Sequence, residues 1–84
     1  MKLISHSTNS NEVIFDNGTS VLFSYQTPVA VSIGNPSKSM GLVGVYKTNQ
    51  KHSRTTSKHI NAWTATTKTL TQGDLERLIT QVIV

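Results

Sequence analysis

Tyr46, Lys47, Lys51, Arg54, Lys58 and His59 lie between positions 46 and 59 and form the most reactive-looking stretch of the sequence. They offer fixed positive charge, hydrogen-bond donors and one aromatic face, among small hydroxyls and amides (Thr48, Asn49, Gln50, Ser53, Thr55, Thr56, Ser57). The chemistry that suits such a set is recognition of an anionic surface. Arg54 and Lys58, four apart, share a face if the segment is helical. Backbone N–H groups at a helix start would add to them as donors for phosphate or carboxylate. The four acids are Glu12, Asp16, Asp74 and Glu76, so nothing between Asp16 and Asp74 is negative, and the net charge is +4. A solvated surface interleaves both signs, so a one-sign stretch implies a local positive field. A solubilising basic face, or a hydroxyl network capping the helix, accounts for the same residues equally well.

Other chemistries find no support. Four acids leave no pair for glycosidase-type acid–base work, because Asp74 and Glu76 sit at a helix start and Glu12 and Asp16 at turn or strand positions. His6, His52 and His59 lack metal-ligand spacing and there is no Cys to assist them. Ser53 or Ser57 near His59 does not amount to a catalytic triad. No Gly-rich phosphate loop is present. The sequence is therefore read as non-enzymatic, with no cofactor and no metal site.

The positioning elements follow from pattern. Residues 11–25 hold two β-rich runs around Asp16-Asn17-Gly18, a hairpin signal. A two-residue turn would leave both strand faces mixed. A three-residue loop with Gly18 left-handed pairs Val13 with Val21 and puts Val13, Phe15, Val21, Phe23 and Tyr25 on one face, with Glu12, Ser20 and Ser24 opposite. Pro28 interrupts the second strand. Val29, Val31 and Ile33 alternate with Ala30 and Ser32 as a third strand, residues 34–39 form a loop, and Leu42–Thr48 reads as a fourth strand. Residues 2–6 fit an extra edge strand. A short helix is predicted over 54–63, with Ser53 or Thr55 as N-cap and Thr56, Ile60 and Trp63 on one face. Thr64–Thr69 is a connector. Thr71 caps a last helix whose stripe is Leu75, Leu78, Ile79 and Val82, with Asp74 and Glu76 in its first turn. The expected fold is α+β: a three- or four-stranded antiparallel sheet with both C-terminal helices packed on one face.

At 84 residues the chain is one small domain, and with no Cys it lacks a disulfide framework. No apolar run approaches the ~20 residues that span a bilayer, and residues 1–6 are too polar for a signal peptide. The chain is expected to remain in the compartment where it is made.

Ser24-Tyr25-Gln26-Thr27-Pro28-Val29-Ala30 and Ser53-Arg54-Thr55-Thr56-Ser57-Lys58-His59-Ile60-Asn61 resemble a family of small uncharacterised proteins from bacteriophages and phage-derived bacterial regions. That family shares a Ser-Tyr-x-Thr-Pro-Val-Ala strand and a Ser-x-Thr-Thr-Ser-x-His-Ile-Asn segment. The resemblance implies a phage context, hence the host cytoplasm, and brings no activity. Three roles follow as expectations. The first is an accessory protein that binds the acidic surface of a host or phage protein through the strand-to-helix junction of Tyr46, Lys47, Lys51, Arg54, Lys58 and His59. The second is nucleic-acid binding by the same patch. The third is self-assembly through the apolar end of the C-terminal helix, Val82-Ile83-Val84.

Overall fold

The computed structural model describes residues 1–34 and 44–82. Among them the chain forms β1 (Lys2–Ser7), β2 (Ser10–Ile14), β3 (Ser20–Ser24), β4 (Thr27–Ile33), β5 (Gly44–Thr48), α1 (Arg54–Trp63), β6 (Thr69–Leu70) and α2 (Gln72–Val82). The strands make one six-stranded sheet in sequential order, antiparallel from β1 to β5 and parallel between β5 and β6. The expected loop over 35–39 and the Leu42–Val43 start of the fourth strand lie outside the described residues.

The β2–β3 hairpin has the parity the sequence demands. Phe15 N–H donates to the Thr19 carbonyl at 2.8 Å and Gly18 N–H to the Phe15 carbonyl at 3.0 Å, closing a three-residue loop. Gly18 sits at φ +85°, a backbone region that L side chains rarely adopt. Val13 then faces Val21, and Phe15, Val21 and Phe23 share one core cluster. The end of β4 passes close behind this turn: a Cβ on Gly34 would lie 2.6 Å from the carbonyl carbon and oxygen of Gly18.

Four expectations need correction. Tyr25 does not continue the apolar face of β3: it turns the chain at φ 60° and is half exposed. Alternation in β4 fails at one place, because the register steps from Leu22↔Ala30 to Phe23↔Pro28 and leaves Val29 as a bulge. Val29 and Ala30 therefore both join Leu22, whereas Val31 and Ile33 join Val21. The sheet is larger than three or four strands and is mixed. Its extra edges are β1 and the two-residue β6, whose parallel pairing is possible because α1 supplies the crossover from β5.

The fourth correction concerns the layers. Val21, Val31 and Ile33 pack with Leu75, Leu78, Ile79 and Val82 of α2, while Leu22, Val29 and Ala30 pack with Ile60 and Trp63 of α1. Successive residues of a strand point to opposite faces, so the two helices lie on opposite sides of the sheet. Two faces must be covered because Val21 and Leu22 are adjacent and both fully buried. Burying each such side chain stabilises the fold by roughly 1.5–3 kcal/mol.

Both helices start as their sequences require. Ser53 caps α1, accepting from Thr56 N–H at 3.1 Å, and Thr71 caps α2, accepting from Asp74 N–H at 3.2 Å. The far end of α2 is held by the hairpin: the Asn17 side-chain amide donates to the Val82 carbonyl at 2.6 Å. Val82 itself is fully buried in the chain's own core.

Candidate functional site

The α1 side of the sheet carries a buried polar hub. Ser24, at the end of β3 and 2% exposed, places its Oγ 2.9 Å from Thr56 Oγ1 and 2.8 Å from His59 Nδ1. Ser53 Oγ donates to Thr56 Oγ1 at 3.1 Å. An unbroken run of hydrogen bonds therefore links Ser53, Thr56, Ser24 and the His59 ring. This chain fixes the first two turns of α1 on β3.

Two hollows flank α1. One, of about 440 Å³, lies between α1 and the β1–β2 end and is lined by His6, Ser10, Lys58, His59, Ala62 and Trp63 among others. The second, of about 370 Å³, lies at the helix start and is lined by Lys51, His52, Ser53, Arg54 and Ser57. Tyr25 borders the same region, its ring tilted toward His59 with centroids 6.2 Å apart. The loop before α1 is anchored in turn: His52 Nε2 lies 3.0 Å from Gln72 Oε1, and the Gln72 amide donates to the Pro28 carbonyl at 2.8 Å.

The six residues singled out by sequence separate in space. Lys51, Arg54 and Lys58 are exposed on the loop and on α1, and His59 is half buried beside Ser24. Lys47 pairs with Ala30 across the sheet and so lies on the α1 face, half buried. Tyr46 pairs with Val31 and packs in the α2 core, with Lys68 Nζ 5.6 Å from its ring centroid. Tyr46 is thus separated from the others by the thickness of the sheet, because neighbours in a strand cannot share a face.

Sequence reasoning missed Ser24, Thr56 as a buried partner, and His6, Ser10, Ala62 and Trp63 as walls of a cleft. The signal for Ser24 was present. Leu22, two residues earlier on the same face, is apolar, which marks that face as covered rather than solvated.

Charges around the site are uneven. Among the described residues, ion pairs join Asp16 to the Met1 amino group at 2.6 Å, His6 to Glu12 at 2.9 Å and Arg77 to Asp74 at 3.6 Å. Burial pushes the Glu12 carboxyl up, but hydrogen bonds from Trp63, His6 and Ser20 and the nearby His6 charge outweigh it and leave it below its ordinary value. Asp16, fully exposed, is lowered by its hydrogen bond to the terminal amine. Lys47, Lys51, Arg54 and Lys58 meet no acid within ion-pair distance among the described residues. α1 also has no acidic residue in its first turn, whereas α2 has Asp74 there. Among the described residues no cluster of three or more His, Asp or Glu is placed to hold a metal ion, and no helix is long and apolar enough to cross a membrane.

None of the curated proteins or solved structures compared with the chain matches it. Residues 1–78, spanning every strand, α1 and most of α2, match a family of unknown function, DUF8033, and the chain belongs to that family.

Proposed function

We propose that this chain is a non-enzymatic accessory protein, of bacteriophage or prophage context, that docks on an acidic surface of a host or phage protein through α1 and the loop before it. The observation that carries this reading is uncompensated charge. Three of the four acids are engaged away from Lys51, Arg54 and Lys58, and Glu76 lies on α2, across the sheet. The N-terminal end of α1 adds its own partial positive charge, unneutralised by any first-turn acid. A rigid platform supports these cations, because the Ser24–Thr56–His59 hub pins the helix that bears them.

The test is affinity capture from nuclease-treated host lysate with the wild-type chain and with an R54E/K58E variant whose circular dichroism is unchanged. A partner captured by the wild type should be reduced at least about tenfold by the double reversal and released by about 0.5 M salt, where screening shortens to a few ångströms. Equal capture by both proteins would overturn the assignment. Loss of capture on nuclease treatment alone would transfer the patch to nucleic acid.

A further inference from the structure

Resting on that reading, we infer that the surface recognises an extended acidic segment of the partner that ends in an apolar side chain, with the acids on Arg54 and Lys58 and the apolar group seated beside Ala62 and Trp63. Arg54, Lys58 and Ala62 follow one another at four-residue steps, so they form a row along one side of α1. Each step rises about 6 Å along the helix axis. Alternate residues of an extended chain are about 6.7 Å apart, so carboxylates two apart match Arg54 and Lys58, and the next alternate residue falls opposite Ala62.

The row changes character where the cleft begins. Arg54 lines the hollow at the helix start, Lys58 stands on the rim of the larger one, and Ala62 and Trp63 give that cleft an apolar wall. At about 440 Å³ the cleft lies within the range that ligand pockets occupy, and it accommodates a leucine-sized side chain. Glu12, the acid on this face, contacts the cleft walls His6, at 2.9 Å, and Trp63, so it stands at the end of the row that takes the apolar side chain and not beside Arg54.

A second copy of the chain does not supply this segment. The single stretch with acids two apart and an apolar residue two further on is Asp74-Leu75-Glu76-Arg77-Leu78. It is wound into α2 with Leu75 and Leu78 buried, so it is neither extended nor available. The occupant is therefore a segment of another protein.

Trp63 is the sole tryptophan of the sequence and reports directly on the cleft. The probe is a blocked peptide with glutamates at its second and fourth positions, leucine at its sixth and glycine elsewhere, titrated at low salt while Trp63 emission is followed. A saturable emission change is expected, weakened at least about fivefold by K58E, by Ala62→Gln and by replacing the leucine with serine, and absent for the same peptide carrying lysines. No saturable change with the acidic peptide overturns the inference, as does an equal response of wild type and Ala62→Gln. An oligonucleotide that changes Trp63 emission where the peptide does not also overturns it. If R54E/K58E abolishes capture of a protein partner while Ala62→Gln leaves both capture and emission untouched, the cationic docking reading stands and the apolar anchor alone is refuted.

Discussion

Replacing Ser24 with Ala should be the most informative single perturbation of the site. The substitution deletes a hydroxyl that is 2% exposed and bonded to two partners, Thr56 Oγ1 at 2.9 Å and His59 Nδ1 at 2.8 Å. Each lost hydrogen bond removes about 1 kcal/mol net, and leaving the half-buried imidazole nitrogen unpaired adds a desolvation cost. Thr56 is less affected, because Ser53 still donates to it at 3.1 Å. The sum is roughly 2–3 kcal/mol, against the roughly 4–12 kcal/mol total expected for a domain of this size. In urea, with a slope of about 1 kcal/mol/M for a small domain, the midpoint should fall by about 2 M or more at unchanged slope. Trp63 fluorescence provides the unfolding signal. Thr56→Val measured alone and together with Ser24→Ala closes the cycle, and the double variant should lose about 1 kcal/mol less than the sum of the singles. A Ser24→Ala protein within about 0.5 kcal/mol of wild type, or singles that add fully, would refute the hub as the clamp that holds α1 on β3.

Two further outcomes follow from buried and paired groups elsewhere. Thr19 is fully buried and its hydroxyl has no partner among the described residues, so Thr19→Val should raise the urea midpoint by about 0.5–1 M, corresponding to about 0.5–1 kcal/mol, and a lowered midpoint would show that the hydroxyl is satisfied. Glu12 is depressed in the folded chain, so the stability it contributes is present above its ordinary value of 4.5 and is lost as pH falls through the lower native value. Thermal melts between pH 6 and 3 should therefore show a smaller acid-side fall in Glu12→Gln than in wild type. Identical profiles for the two proteins would remove Glu12 from the pH response.

Much of the local structure was legible in the chain. The three-residue loop at Asp16-Asn17-Gly18 followed from parity, because a two-residue turn would have put Phe15 and Phe23 on opposite faces of the hairpin. The cap at Thr71 followed from a small oxygen-bearing side chain three residues before the N–H it accepts from, and the same rule left Ser53 or Thr55 for α1, of which Ser53 is the cap. These are short-range constraints, set within a few residues of the atoms involved. The candidate site was half legible: Lys51, Arg54 and Lys58 lie on or beside α1, but Tyr46 does not join them, Ser24 comes from β3, and the cleft walls His6 and Ser10 come from β1 and β2.

What the sequence by itself determined, then, was where β1 to β5 and the two helices lie and where the positive charge is concentrated, but not β6, whose Thr69 falls in the stretch read as a connector. Periodicity, capping and composition act locally. Only the tertiary structure decided that the helices cover opposite faces, that β5 and β6 run parallel, that Val29 bulges, and that Tyr25 turns beside His59 rather than into the core. The layering, the parallel pairing and the seat of Tyr25 depend on contacts between residues far apart in the chain, and the bulge on the register of the β3–β4 hairpin. The path of α1 across the sheet settled them together: by covering Leu22 and Ala30 it turned the polar side of the hairpin into an interior, and made Ser24 a buried partner instead of a surface serine.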